Sequence, residues 1–329
     1  MSFKTTEELI TYLCDNGISI SGEDQKRQLI NTGYYHGYKG YRFFKNIETK
    51  LPFTSYNEVY ATIRYDSDIK ALLYPKLMFI ETAIKNIALE SILINAQSEN
   101  INDMYNKVVS SFTNSPKNST VEKKKKYQQN KLNLQKMIHS SLAYEYKRQN
   151  EKITHYYNNT GETSHTGVPI WALFEIMTLG DFAYLLSCLT YNVREDISKR
   201  IGINLSCDTN RQLLYKYVYV LKDLRNAVAH NGVVFDTRFR KFDPSKAMKQ
   251  CLKQEIGLPY VNFKTIGDYL ILICYYLKII KVSKKEIIEF IDEFEKITQK
   301  YKSSVNKEVS KIVIHPNFLP RIEILKKYL

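Results

Sequence analysis

One short stretch of the sequence joins residue types that can cleave RNA without a metal ion. It contains Arg225, Asn226 and His230, and a four-residue spacing puts Asn226 and His230 on one face of a helix. Histidine exchanges protons near neutral pH, so it can take a proton from a ribose 2′-hydroxyl or give one to the leaving 5′-oxygen. A guanidinium can hold the phosphate as charge builds up on it. We therefore interpret Arg225, Asn226 and His230 as candidate catalytic residues.

A predicted helix positions this stretch. Its apolar face is formed by Leu214, Tyr217, Val218, Leu221 and Val228. Asn231-Gly232 predicts the end of the helix, because asparagine and glycine tolerate the left-handed conformation that ends many helices. A histidine at a helix C-terminus is also favoured by the helix dipole, so a structural role for His230 is the alternative.

A single chain carries one such set, whereas acid–base cleavage is easier with two proton-transferring groups. A symmetric dimer would bring two of these helix ends together, so we predict a homodimer. A looser pair, Arg148 and His155, lies in a basic segment and is interpreted as a chance match. It is the alternative source of the missing half if the protein is a monomer.

Other kinds of catalytic site are not indicated. The 6 histidines and 5 cysteines are scattered without the spacing of metal ligands. No glycine-rich loop ends in Gly-Lys-Ser or Gly-Lys-Thr, and no Gly-x-Ser-x-Gly pattern occurs. We expect neither a metal ion nor a cofactor.

The charge balance points to a partner that carries phosphates or to an acidic membrane surface. Lys and Arg number 48 against 34 Asp and Glu, which gives a net charge of +14 and a pI near 9.3. Two groups are candidate RNA-binding residues: Lys123, Lys124, Lys125 and Lys126 in a basic segment, and Arg238, Arg240 and Lys241 shortly after His230. Ordinary solvated surface charge is the alternative for both groups. We expect RNA, and not DNA or a membrane, as the partner.

The composition favours an all-α fold. Hydrophobic residues make up 44% of the 329 positions, while 12 Gly and 8 Pro are too few for a fold of many short strands. Apolar spacing and capping residues predict helices over 5–15, 21–33, 55–64, 67–93, 119–157, 171–186, 193–201, 209–230, 262–281 and 283–302. Lys311–His315 is the best candidate strand, and the aromatic stretch Gly33–Phe44 is predicted as a structured loop that packs in the core or stacks on bases.

The compartment is expected to be the cytoplasm. The five cysteines form an odd set with no Cys-x-x-Cys pair, which indicates reduced thiols. The N-terminus has no apolar signal core, and Lys278 and Lys281 interrupt the longest apolar run. Three consecutive parts are expected: 1–95, a polar connection with a basic helix at 96–165, and 166–329.

The stretch from Arg225 to His230 resembles the signature of HEPN ribonucleases, and the chain as a whole resembles the bacterial Abi-like (AbiD/AbiF) abortive-infection proteins. The resemblance covers about residues 5–240. It is carried by Gly33-Tyr34-Tyr35 with Gly40-Tyr41, by Phe79 to Lys85, by Pro169-Ile170-Trp171-Ala172-Leu173 with Gly180, and by Leu224-Arg225-Asn226 with Ala229-His230-Asn231. Relatives commonly carry arginine where this sequence has Lys85, which is less suited to bidentate phosphate binding. Roughly the last 80 residues have no counterpart.

This resemblance implies an all-α, HEPN-like helical bundle with additional helices. It also implies a role in phage defence or as a toxin, metal-independent RNA cleavage by Arg225 and His230, and control by a small noncoding RNA. Two further hypotheses stay open. The protein could bind a folded noncoding RNA and keep the motif only as scaffold, or it could be a helical protein-interaction subunit whose charge serves solubility.

Overall fold

The computed structural model describes residues 4–45, 49–116, 118–158 and 167–329. Within these ranges the chain forms sixteen α-helices and two short π-helical segments, Tyr34–Tyr38 and Met104–Val108, and no β-strand. The predicted all-α fold is therefore confirmed. The domain boundary expected at 165 and 166 lies outside the described residues.

The α-helices follow one another along the chain with short connections. They are α1 Thr6–Asp15, α2 Glu23–Thr32, α3 Lys39–Tyr41, α4 Tyr56–Ala96, α5 Ile101–Asp103, α6 Val121–Lys147, α7 Glu151–Asn158, α8 Ile170–Ile176, α9 Leu179–Cys188, α10 Tyr191–Ile201, α11 Leu213–Ala229, α12 Lys246–Ile256, α13 Ile266–Ile279, α14 Lys284–Ser304, α15 Lys307–Val313 and α16 Phe318–Tyr328.

The chain divides into two compact units, each built from segments that are distant in the sequence. The first unit comprises Met1–Met78, Asp223–Pro244 and Leu252–Leu329, and the second comprises Phe79–Lys222 and Ser245–Cys251. The three consecutive parts expected from the sequence are a different division of the chain.

The core of the first unit is centred on α13, which is buried along almost its whole length. Asp268 and Lys278 are the only charged residues in this helix, so it has no continuous polar face, as expected of a helix surrounded by others. Helix α14 packs along it and buries Phe290, Ile291 and Phe294. Tyr301 of α14 stacks on Tyr65 of α4 with 4.3 Å between ring centroids. These contacts fix the first half of α4 within this unit.

The core of the second unit lies between α6, α8 and α9. Leu134 and Ile138 of α6 are fully buried, as are Phe182 and Leu186 of α9. Phe174 of α8 meets Phe182 edge to face at 5.7 Å. Most apolar residues of the segment from 171 to 186 are thus core, as predicted, but Trp171 at its start is 41% exposed.

Helix α4 is one continuous helix where the sequence predicted two. Serine is a common helix start, which favours a second helix from Ser67, and Pro75 lacks a backbone donor and tends to kink a helix. In the structure Val59, Ile69, Leu73 and Leu77 continue one buried face through both positions. Burial of that face outweighs the local preference of serine for a helix start and the absence of one backbone hydrogen bond at proline.

The basic helix predicted over 119–157 consists of two helices, α6 and α7. The N-cap is Thr120 rather than Ser119, and its side chain accepts a hydrogen bond from the backbone of Lys123 at 3.3 Å. Gln149 adopts φ 57°, which ends α6. Asn150 then caps α7, with its side chain accepting from the backbone of Lys152 at 3.1 Å.

The apolar segment after Pro169 also contains a break, since Thr178 caps α9 by accepting from the backbone N–H of Asp181 at 3.2 Å. The carbonyl of Met177, left over at the end of α8, accepts from Lys85 Nζ at 2.7 Å. Lys85 also pairs with Glu81 at 3.1 Å. Lys85 therefore supports a helix end within the second unit.

The C-terminal region contains helices that the sequence did not predict, α12 and α16. Lys311–His315, predicted as an edge strand, falls in and just after α15, so this prediction is wrong. The side chain of Asn306 caps α15 by accepting from Val309 N at 3.0 Å. This cap and the burial of Val309 outweigh the strand preference of the neighbouring β-branched residues.

The expectation of five unpaired cysteines is wrong for two of them. Cys207 and Cys251 form a disulfide, with 5.6 Å between their Cα atoms. They are 44 positions apart, and α12, which carries Cys251, was not predicted, so the spacing could not reveal the pair. Cys14 is exposed, and Cys188 and Cys274 are buried free thiols.

The aromatic stretch Gly33–Phe44 is helical rather than a loop. It forms the π-helical segment Tyr34–Tyr38 followed by α3. Tyr38 and Tyr41 are buried, whereas Tyr35 is 65% exposed with Lys39 Nζ 5.0 Å from its ring centroid. Tyr38 and Tyr41 therefore serve packing, which is one of the two predicted roles of this stretch, whereas Tyr35 lies at the surface.

Candidate active site

Helix α11 carries the three candidate residues at its C-terminal end. Leu224 is fully buried and anchors this turn of the helix. Arg225 and Asn226 are half-buried, and His230, just past the last helical residue, is exposed. The amphipathic pattern thus leaves the polar residues of the motif accessible while the apolar side holds the helix in place.

The end of α11 has the geometry that the sequence predicted. The backbone N–H of Asn231 donates to the carbonyl oxygen of Val228 at 3.2 Å, and that of Gly232 donates to the carbonyl oxygen of Ala227 at 2.7 Å. Asn231 adopts φ 54°, the left-handed conformation that asparagine tolerates better than most residues. A Cβ at Gly232 would lie 3.2 Å from the carbonyl oxygen of Ala227. Asn231-Gly232 therefore fixes where α11 ends and, with it, the position of His230.

Arg225, Asn226 and His230 are linked through the helix. Arg225 Nη1 donates to Asn226 Oδ1 at 3.3 Å. The backbone N–H of His230 donates to the carbonyl of Asn226 at 3.0 Å, so His230 stands one turn beyond Asn226. Together they give a guanidinium, an amide and an imidazole at one helix end. That set can hold a phosphate and move protons beside it.

Two charged residues that the sequence pattern did not single out contact the segment after His230. They are Asp66 and Lys70 of α4, both buried. The signal that could have revealed them is an Asp and a Lys four residues apart inside an otherwise apolar face, because charges are rarely buried without a partner.

In the second candidate RNA-binding group, Arg238, Arg240 and Lys241, the arginines form contacts within the first unit. Arg238 binds the carboxylate of Asp236, with Nη2 2.6 Å from Oδ2, and donates to the carbonyls of Gly40 and Phe43 at 2.7 Å each. Arg240 Nη1 donates to Asp243 at 3.1 Å. Lys241 is exposed. Arg238, predicted to bind RNA, has its donors engaged by protein groups, so Lys241 is the most accessible charge of the three.

The four consecutive lysines lie in the first two turns of α6, in the second unit. Lys123, Lys125 and Lys126 are exposed and Lys124 is half-buried. Among the residues that the structure describes, none of the four forms an ion pair within 4.0 Å. Their charge is thus available to a partner.

The looser pair occupies a different setting. Arg148 ends α6, lies 5.4 Å above the Tyr144 ring and is 3.8 Å from Glu145. His155, in α7, has its ring edge on to Tyr156 at 5.3 Å. Both belong to the second unit, and each lies beside an aromatic ring.

No helix in the described ranges is long and apolar enough to cross a membrane. Over the same residues, no cluster of three or more His, Cys, Asp or Glu side chains is arranged to hold a metal ion.

Comparison with known families identifies the family to which this sequence belongs. A sequence model of the Abi-like protein family matches residues 27–236, well over half of the chain. The protein is therefore a member of the Abi-like family, whose name links it to abortive-infection defence. The match includes Arg225, Asn226 and His230 and ends before α12. Comparisons with curated proteins and with solved structures gave no match.

Proposed function

We propose that this protein is a metal-independent endoribonuclease of the HEPN type, acting in abortive infection or in a toxin–antitoxin system. The observation that carries the proposal is the exposed His230 at the end of α11, one turn beyond Asn226, whose side chain accepts a hydrogen bond from Arg225. Family membership supports the defence role.

The reaction uses the RNA's own 2′-hydroxyl as nucleophile. His230 takes the proton from this hydroxyl, and the 2′-oxygen attacks the adjacent phosphorus while the bond to the 5′-oxygen breaks. The leaving 5′-oxygen receives a proton from a second acid. The products are a 2′,3′-cyclic phosphate and a free 5′-hydroxyl.

Arg225 and Asn226 bind and orient the phosphate during this step. The guanidinium matches two phosphoryl oxygens and stabilises the charge that accumulates on them. The 3.3 Å hydrogen bond to Asn226 Oδ1 ties the guanidinium to the residue one turn before His230. Lys85, tied to Glu81 and to the end of α8, has no role in this step.

The second acid is His230 of another copy of the chain, so the active form is a homodimer. A two-fold axis near the end of α11 would supply two imidazoles to one phosphate. The exposure of His230 supports this arrangement, because a buried residue could not contribute to a shared site.

The lysines of α6 bind a structured RNA, which we take to be a small regulatory noncoding RNA. Charges without a protein partner release counterions when they bind phosphates, and that release drives affinity. Lys241 is a further candidate for binding phosphate, and Arg240 a weaker one. The same lysines favour the alternative function, in which the protein binds a folded noncoding RNA without cleaving it.

Cleavage of a generic single-stranded RNA in excess EDTA separates the two functions. We expect the protein to cleave, and Arg225→Ala or His230→Ala to lower the rate by about 100-fold or more. Arg148→Ala and His155→Ala remove the same residue types elsewhere and should leave the rate unchanged. If all four variants cleave like the parent protein, the assignment of the site is wrong; if purified protein binds RNA but never cleaves it, the alternative function holds.

A further inference from the structure

A buried ion pair on α4 faces the segment that follows His230. Lys70 Nζ lies 3.0 Å from Asp66 Oδ2, and the two side chains are 11% and 0% exposed. Burying two charges costs more solvation free energy than burying apolar residues of similar size, so such a pair is weak evidence for added stability. Its hydrogen bonds indicate what else it does.

Asp66 holds the segment by its backbone. Its Oδ1 accepts from the N–H groups of Val234 and Phe235 at 2.7 and 2.8 Å. Its Oδ2 accepts from the hydroxyl of Tyr41 at 2.8 Å, and the Tyr41 ring stacks on Phe235 at 5.8 Å. Burial and the neighbouring Asp66 carboxylate raise the pKa of Tyr41, so this hydroxyl stays a donor. Each bond to a charged acceptor is stronger than a neutral one.

Lys70 holds the same segment closer to the motif. Its Nζ donates to Asn231 Oδ1 at 2.6 Å and lies 3.4 Å from the carbonyl oxygen of Gly232. Asn231 is the residue directly after His230, and it is the one in the left-handed conformation. Lys70 therefore binds the side chain of the residue whose backbone ends α11.

We propose that Lys70 and Asn231 are positioning residues that set the location of His230, with Asp66 holding Lys70 and the following backbone in place. This inference rests on the proposed ribonuclease function and deepens it. An asparagine at this place supplies both a tolerated positive φ and an acceptor for Lys70, whereas glycine would supply only the first. Proton transfer depends steeply on distance, and a misplacement of about 1 Å can cost about 100-fold in rate.

Two substitutions at Asn231 separate positioning from stability. Asn231→Gly removes the acceptor of the charged Lys70 hydrogen bond but relieves the positive φ and leaves the Asp66–Lys70 pair intact, so the melting temperature should fall by no more than a few degrees. We expect its kcat to fall by at least about tenfold with little change in KM. Asn231→Asp keeps an acceptor for Lys70 and tolerates the same φ, so it should retain most of the parent kcat.

Lys70 is tested in the same way. Lys70→Met removes the donor but keeps the stem, and Lys70→Arg keeps a charged donor. The first should lower kcat and the second should restore part of it, with the folded fraction of each variant measured by circular dichroism.

A second readout does not depend on cleavage. Hydrogen exchange at the backbone N–H groups of residues 232–235 should speed up by about tenfold in Asn231→Gly and Lys70→Met, but not in Asn231→Asp. If the parent protein cleaves no RNA, the proposed function fails, yet the exchange rates still report whether Lys70 fixes this segment. If Asn231→Gly has the exchange rates and the kcat of the parent protein, the positioning role is wrong. It is also wrong if kcat falls only in proportion to the fraction of protein that is unfolded.

Discussion

At the scale of single residues, the candidate catalytic residues could be predicted from the sequence because they lie within six positions of one another. Arg225 and Asn226 lie in the last turns of α11 and His230 directly follows it, so the four-residue spacing places His230 one turn beyond Asn226. The residues that support them are not local. Lys70 and Asn231 are separated by 161 positions, and only the packed fold brings them to 2.6 Å.

The free cysteines give a residue-scale prediction that depends on pKa. Burial raises the pKa of the Cys188 thiol to about 11 and also raises that of Cys274, while Cys14 is exposed. Because the thiolate is the reactive form, we expect iodoacetamide at about pH 8 to label Cys14 in native protein well before Cys188 or Cys274. Peptide mass spectrometry measures this.

Denatured protein is the control for the cysteine prediction, since all three thiols should then react alike. Cys207 and Cys251 form the disulfide and should react only after reduction. Labelling of Cys188 in native protein as fast as that of Cys14 would contradict the burial seen in the second unit.

At the scale of elements, helices with a long apolar face were predictable and their interruptions were not. The helix of Arg225 and His230 was expected over 209–230 and spans Leu213–Ala229; its end at Asn231-Gly232 was predicted because the end depends on two local residues. The continuity of α4 through Ser67 and Pro75 depends instead on burial against distant segments. Helix α15 also depends on more than local preference, because the cap at Asn306 and the burial of Val309 outweigh the strand preference of its β-branched residues.

The start of α6 gives a prediction on RNA binding. Changing Lys123, Lys124, Lys125 and Lys126 together to Gln should weaken binding of a structured RNA and flatten the dependence of log Kd on log salt, by roughly one slope unit for each RNA phosphate that the variant no longer neutralises. Fluorescence anisotropy at several salt concentrations measures the slope. Cleavage of short oligonucleotides should change little.

A variant with the same reduction in charge is the matched control for the α6 lysines. Four exposed lysines of the first unit, Lys285, Lys296, Lys302 and Lys311, serve this purpose. Changing these to Gln lowers the net charge equally but should leave the slope close to that of the parent. Equal slopes in both variants would mean that the α6 lysines act only through overall charge.

At the scale of the whole molecule, the proposed shared site predicts that an inactive chain impairs its partner. If one phosphate needs His230 from both copies, a dimer of parent and His230→Ala chains is inactive. Equal amounts of the two, allowed to pair at random, should then keep about a quarter of the parent activity, whereas independent sites would keep about half. Rates of co-refolded mixtures distinguish the two values.

We also expect light scattering of RNA-free protein to show a dimer. A stable monomer that cleaves at full rate would contradict the shared site. The second acid would then have to come from the same chain, and Arg148 with His155 is the pair to test first.

The chemical ends of the RNA product test the central claim most directly. A short RNA should be cut by the purified protein in excess EDTA, and mass spectrometry of its 5′ fragment should show a 2′,3′-cyclic phosphate that is absent with His230→Ala. The same RNA with a 2′-O-methyl group at the cut position should stay intact, because the nucleophile is blocked. A 3′-hydroxyl product, cleavage of the methylated RNA, or cleavage only with added Mg²⁺ would contradict the proposed role of Arg225 and His230.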